Sequence, residues 1–185
     1  ISIDTLHQAA KSAGLDQLVD LEIFKKYLKK PTHQTKVLEI GCATGRIGKE
    51  LIQHTNYTGI DFNENYLNYF RTTLTEAGID FDPNQIKNIS FFELKEYGFD
   101  LILFPWAVIG DFESKEDQYS ALKKSFEILS PEGVILIDFL TEEDVIAGKG
   151  NHVDGYNPTY FYHDQWLSEF KDCLLYTSPS PRDRG

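Results

Sequence analysis

A doubly wound α/β fold, with a mostly parallel sheet of about five strands, is what this 185-residue sequence predicts. Two observations carry that reading. Short apolar runs such as 133–137 (Gly-Val-Ile-Leu-Ile) alternate with longer amphipathic stretches of helical period, a pattern that right-handed crossovers turn into a parallel sheet covered on both faces. The first such run, 36–41 (Lys-Val-Leu-Glu-Ile-Gly), ends in a glycine-rich bend rather than a hairpin turn.

The elements follow in order. Residues 4–14 and 16–30 read as helices, the second marked by Ile23, Phe24, Tyr27 and Leu28 and stopped by Pro31. After the first strand and its bend, 47–53 continues as a helix. Residues 57–62 form the second strand, Asn63 is the N-cap of a helix over 64–77, and Gly78 closes it. Residues 89–92 give a weaker third strand and 99–104 the fourth. A helix over 115–129 turns Tyr119, Leu122, Phe126 and Leu129 to one face. A turn at 130–133 leads into the fifth strand, 133–140. Beyond Leu140 the pattern degrades into turn formers, an aromatic cluster and the start of a helix at 163–172.

Bulk properties narrow the function. At 41% hydrophobic residues the composition is globular, and no apolar run approaches the ~20 residues of a membrane span. No signal peptide is visible. With no spanning run no membrane is expected, and the net charge of -11 disfavours a polyanionic partner, so no nucleic acid is expected either. The one dense basic spot, Lys25, Lys26, Lys29 and Lys30, reads as the solvated face of a helix. Cys42 and Cys173 have no pairing logic, which fits a reducing, cytoplasmic compartment. His7, His33, His54, His152 and His163 show no metal-ligand spacing, so no metal is expected.

The chemistry concentrates at 38–45 (Leu-Glu-Ile-Gly-Cys-Ala-Thr-Gly). Gly41 and Gly45 let the backbone turn tightly and approach a ligand without a Cβ in the way, and the helix beginning near Arg46 aims free amides at the same crevice. A glycine bend alone suits any nucleotide cofactor. Glu39 sharpens the choice: a carboxylate there suits a ligand bearing an ammonium group and repels a pyrophosphate. A buried structural acid is the alternative. Asp61, twenty residues past Gly41 at the end of the second strand, stands where an acid accepts from both hydroxyls of a ribose; a plain turn residue before the Asn63 cap is its alternative. Bend plus acid together indicate an adenosine-containing cofactor.

The run 37–48 (Val-Leu-Glu-Ile-Gly-Cys-Ala-Thr-Gly-Arg-Ile-Gly) resembles the first motif of class I S-adenosylmethionine-dependent methyltransferases, with Ala43 in place of the middle glycine. Residues 59–67 resemble the family's second motif, with Asp61 at the ribose position. Residues 99–106 and 129–137 resemble its fourth strand and the turn into its fifth. The resemblance spans about 35–140 and implies a Rossmann-like core with S-adenosylmethionine as cofactor. It implies cofactor-binding roles for Glu39, Gly41, Cys42, Ala43, Gly45, Asp61, Phe62, Pro105 and Trp106. The adenine-side acid is the weakest match: Glu93 lies only six residues before Phe99, and Phe92 with backbone amides is the other way to hold the ring. No catalytic side chain is singled out, because a sulfonium methyl is already electrophilic and the protein's task is alignment. A general base is needed only for an acceptor that holds a proton at neutral pH.

The acceptor is expected to be a small molecule; its identity and the oligomeric state are left open. Tyr156, Tyr160, Tyr162 and Trp166 either line an acceptor pocket or form the seam of a further strand. A nicotinamide-dependent short-chain dehydrogenase is a competing reading, since its glycine turn resembles 41–48 and Tyr119 with Lys123 matches its catalytic pair, though ahead of the fifth strand rather than after it. A non-catalytic adenosine-cofactor-binding module is the other.

The segments are thus a helical 1–34, the cofactor-binding core 35–140, a partial substrate-side segment 141–172 and a tail 173–185. The tail resembles the in-frame translation of a transposase-type sequencing-library adapter. Opening on Ile1 rather than Met, and reaching that tail before the family's last antiparallel strand pair, the chain is expected to be a fragment with its fifth strand left as a bare apolar edge.

Overall fold

In a computed structural model, residues 31–112 and 114–139 are described, together with the backbone of 174–176. The predicted helices at 4–14 and 16–30 and the aromatic segment 141–172 lie outside the described residues.

A parallel sheet organises the chain. Its strands are β1 (Lys36–Ile40), β2 (Asn56–Asp61), β3 (Ile86–Asn88), β4 (Phe99–Phe104), β5 (Leu129–Ile137) and β6 (Leu174–Tyr176), in the spatial order β3-β2-β1-β4-β5-β6. Every pairing is parallel. The order reverses between β1 and β4, and that switch point is where open α/β sheets place their ligands, outside the carboxyl ends of the strands. The helices of the described region are α1 (Gly48–Leu51), α2 (Glu64–Glu76) and α3 (Lys115–Ile128).

Side-chain alternation along the strands divides the core into two layers. Leu38, Ile40, Ile60, Ile102, Phe104, Ile135 and Ile137 pack on one face with α3. Val37, Tyr57, Leu101, Leu103 and Leu136 pack on the other with Leu67, Phe70 and Leu74 of α2. Each fully buried side chain of this size contributes about 1.5–3 kcal/mol. The strands are apolar on both faces, as the sequence predicts for a covered parallel sheet.

Helix α2 starts as expected: the Asn63 side chain accepts from the Asn65 amide. Gly78, in the left-handed region at φ 67°, follows its C-cap. Three local expectations are corrected. The third strand lies at Ile86–Asn88, and 91–93 is instead a short 3-10 turn. There Ser90 caps the Phe92 amide while Glu93 reaches back to the Ser90 amide, so local side-chain bonds won over strand pairing. Helix α3 does turn Leu122 into the core with Phe126 and Leu129 packed against it, but Tyr119 is only half-buried and the buried positions also include Gln118, Ala121, Ser125 and Ile128. The buried Ser125 hydroxyl donates back to the Ala121 carbonyl, which lets a polar residue take a core position. The turn expected at 130–133 is absorbed into β5 as an irregularity: Leu129 pairs with Phe99 and the register then jumps to Val134 opposite Leu101.

The β5 edge expected to be bare carries β6, with Leu174 beside Ile135 and Tyr176 beside Ile137. Open strand edges take short β-prone segments through backbone bonds alone. Among the described residues no helix is long and apolar enough to cross a membrane.

Candidate functional site

The glycine bend is held at the carboxyl end of the sheet by backbone bonds to the neighbouring strand. The amides of Gly41 and Cys42 both donate to the Ile60 carbonyl, at 2.9 and 3.1 Å, and the Gly45 amide closes the bend onto the Cys42 carbonyl at 2.9 Å. Gly41 and Gly45 take φ of 70° and 80°, a region that costs a side chain about 1–2 kcal/mol. A Cβ on Gly41 would run into the Val108 side chain, and one on Gly45 into the Phe70 ring. Both glycines are therefore required twice over, by dihedral and by space. Helix α1 is a single turn, shorter than expected, so the bend rather than a helix dipole shapes the crevice.

Ala43, the departure from the motif, also has positive φ, at 45°. Its methyl group is thus strained in the place where the motif has glycine. Replacing Ala43 with Gly should raise unfolding stability by about 0.5–1 kcal/mol, the relief of left-handed strain less the extra freedom of glycine in the unfolded chain. A denaturant titration of the two proteins reads this directly; equal midpoints would show that the backbone relaxes without help.

Asp61 ties the second strand to the bend. One carboxylate oxygen accepts from the Ala43 amide at 3.0 Å and the other from the Asn63 amide at 2.8 Å. Its carboxyl is raised above its ordinary value, chiefly because burial removes water, with the Asn63, Ala43 and Phe62 amides pulling the other way. Glu39 is on the same sheet face, since β1 and β2 pair Glu39 with Gly59, two residues before Asp61. Its carboxylate is buried beneath the bend, 2% exposed, and accepts from the Tyr57 hydroxyl at 2.6 Å. Burial pushes the Cys42 thiol up, and the charges of Glu39 and Asp61 push it further the same way. That side chain faces the core, so Cys42 serves the crevice by shaping the bend.

Phe62, just past Asp61, is 83% exposed. Opposite, β4 runs into Pro105 and Trp106, both half-buried. Trp106 and Ala107 have φ of 54° and 57°, and the Arg46 guanidinium stacks 4.6 Å from the Trp106 ring centroid. Val108 against Gly41 and Arg46 against Trp106 join the β1 bend to the turn after β4. Among the described residues the three non-glycine residues with positive φ are Ala43, Trp106 and Ala107. All three sit on this rim, and such strain gathers where a fold has been shaped for a ligand.

The structure brings together Glu39, Gly41, Cys42, Ala43, Gly45 and Asp61, with Phe62, Pro105 and Trp106 around them. Glu93 stands apart in role: it is exposed and its carboxylate is engaged with the Ser90 amide. The Ser-x-x-Glu spacing of a capping box was present in the sequence to announce this. Tyr57 is the site residue that sequence reasoning missed: the strand register sets it opposite Val37, and only its hydroxyl's bond to the Glu39 carboxylate ties it to the site. An open cleft of about 850 Å³ lies elsewhere, lined by His33, Asn56, Gly78 and Gln85 at the amino end of β2, and touches none of the bend residues.

The donor set fits an adenosylated amino acid. Two carboxylates on adjacent strand ends suit an ammonium and a ribose diol, the exposed Phe62 ring offers a flat apolar cover, and the glycine bend admits close approach. A dinucleotide pyrophosphate would meet Glu39 with like charge.

A parallel sheet with a strand-bend-helix crevice of this composition defines the class I S-adenosylmethionine-dependent methyltransferase fold. Residues 37–133, just over half of the chain, match the family model described as methyltransferase domain, and the chain belongs to that family. It is 26% identical over 157 residues to a malonyl-[acyl-carrier protein] O-methyltransferase of Calditerrivibrio nitroreducens, covering 77% of this chain and 58% of the relative. It is 27% identical over 105 residues to the putative methyltransferase YqeM of Bacillus subtilis, covering 56% and 41%. The chain thus spans about half the length of these curated relatives. Among solved structures, the N-methyltransferase NodS from Bradyrhizobium japonicum, in complex with S-adenosyl-L-homocysteine, shares the fold at a TM-score of 0.55. It is 18% identical, over 66% of this chain and 60% of that one. Family membership leaves the dehydrogenase reading without support; its pair Tyr119 and Lys123 lies half-buried and exposed, respectively, on α3.

Proposed function

We propose that the protein from which this chain comes transfers a methyl group from S-adenosylmethionine to a small-molecule acceptor in the cytoplasm. The observation that carries the reading is the strained, glycine-walled rim where Asp61 is bonded to the Ala43 amide and the bend meets the turn after β4. S-adenosylmethionine supplies the methyl group as an electrophilic carbon on a sulfonium. Asp61 accepts from the ribose hydroxyls, Glu39 offers negative charge to the ammonium from beneath the bend, and Phe62 covers the adenine face. Gly41, Ala43 and Gly45 let the backbone come close. Pro105 and Trp106 border the place from which an acceptor approaches, where alignment within a dry site is worth ~7–11 kcal/mol. Glu93 contributes through the Ser90 turn beside Phe92, on the adenine side.

Calorimetric titration with S-adenosylmethionine and with NAD tests the cofactor, and a methyl-transfer screen over small carboxylic acids, amines and alcohols tests the reaction. The Calditerrivibrio relative, an O-methyltransferase by name, puts the carboxylic acids first in that screen. Binding of S-adenosylmethionine without transfer to any acceptor would favour a non-catalytic module; preference for NAD would refute the proposal.

Affinity should also follow pH in a definite sense. A ribose that donates to Asp61 selects the ionised carboxylate, and burial raises that carboxyl. Affinity should therefore rise as pH passes through the region just above the ordinary carboxylate range, then level off. In the unliganded protein the sign is opposite: Asp61 favours folding most at low pH, and that share is lost as pH rises through its raised value. Titrations at several pH values, repeated on Asp61→Asn, should show the slope and then its disappearance.

A further inference from the structure

We infer that Tyr57 is a positioning residue for the cofactor's amino-acid end, its hydroxyl fixing the orientation of the Glu39 carboxylate under the glycine bend. The inference rests on the reading of Glu39 given above and adds a residue that the motif does not contain.

Three observations place Tyr57 in that role. Its hydroxyl donates to Glu39 Oε2 at 2.6 Å, and both groups are buried. A short bond to a charged acceptor in a water-poor setting is among the stronger hydrogen bonds a protein makes. Held at one oxygen, the carboxylate loses its rotation about the last side-chain bond, so the direction of its charge is set before a ligand arrives.

Second, the hydroxyl occupies a niche made by two small residues. A Cβ on Gly59 would lie 2.5 Å from it and 2.9 Å from the Cys42 sulfur, and one on Gly48 would also collide with it. The ring is wedged edge-on against Phe70, with centroids 6.3 Å apart. Nothing in strand geometry demands glycine at 59, so the space there exists for the tyrosine head and the thiol.

Third, the hydroxyl remains a donor. Burial, then the charge of Glu39, pushes it well above the ordinary tyrosine value, so it keeps its proton wherever Glu39 is ionised.

The test compares S-adenosylmethionine with 5′-methylthioadenosine, which keeps the nucleoside and lacks the amino-acid end. Tyr57→Phe preserves the packed ring and removes the bond. It should weaken S-adenosylmethionine about 10-fold, the share of the ammonium interaction that depends on a carboxylate already held in direction. Binding of 5′-methylthioadenosine should stay within about twofold. Glu39→Gln should show the same selectivity, and the double variant should be no worse than Glu39→Gln alone, because the two residues act as one unit. Equal weakening of both ligands by Tyr57→Phe would mean a merely structural tyrosine and would overturn the inference. So would a selective effect of Glu39→Gln that Tyr57→Phe fails to share, and in that case the Glu39 reading stands. No selectivity in Glu39→Gln would overturn the Glu39 reading itself, and the inference with it.

Discussion

Gly45→Ala should lower unfolding stability by about 3 kcal/mol or more, enough to threaten a domain of ordinary stability. Two costs add at this position. The left-handed backbone, φ 80°, charges a Cβ about 1–2 kcal/mol. The new methyl also meets the Phe70 ring, which is itself fully buried between α2 and the sheet, and overpacking of a core adds about 1–3 kcal/mol. Phe70 cannot swing away, because Tyr57 packs against its edge. Gly78→Ala separates the two costs. Gly78 has nearly the same dihedral, φ 67°, but nothing stands within 4 Å of a Cβ there. That variant should cost only about 1 kcal/mol. Denaturant unfolding of both proteins measures the difference, and equal losses would show that the Phe70 contact gives way at no cost.

The same contrast shows what the sequence could and could not reveal. Strand β4 was legible residue for residue, since the apolar run 99–104 is bounded by Gly98 and Pro105. The Asn63 cap and the bend at 41–45 were legible for the same reason: each has a local signature set by backbone chemistry. The third strand was not, because a three-residue strand carries no periodicity and the apolar residues at 89–92 belong to a turn built around Ser90 and Glu93. The buried face of α3 was legible at Leu122, Phe126 and Leu129 but not at its small and polar positions. Ala121 and Ser125 are fully buried there, and neither a small nor a polar residue announces itself as core in an apolar pattern. Glu39 and Asp61 fall on one sheet face because parallel pairing preserves side-chain parity, which sets Glu39 opposite Gly59. Tyr57 obeys the same parity, two residues before Gly59, but a tyrosine opening a strand reads as core until its hydroxyl is seen to end on a carboxylate.

Asp61→Ala should weaken S-adenosylmethionine by 100-fold or more, from about 1.5 kcal/mol or more for each of two charge-assisted bonds to the ribose. The effect should exceed that of any other single side chain on the rim, because Asp61 has two roles. It is the proposed ribose acceptor, and its link to the Ala43 amide fixes the bend that the cofactor must approach. Loss of the first removes binding energy, and loss of the second lets the bend drift, which raises the ordering cost of binding. The pattern across ligands distinguishes this residue from Glu39 and Tyr57. Since 5′-methylthioadenosine carries the same ribose, Asp61→Ala should weaken it as severely as the full cofactor. Titrating both ligands into Asp61→Ala, with thermal unfolding to confirm that the variant is folded, puts the reading at risk. If a folded variant kept its affinity for either nucleoside, the ribose would have to be held elsewhere, and the strained rim between Ala43 and Trp106 would need another explanation.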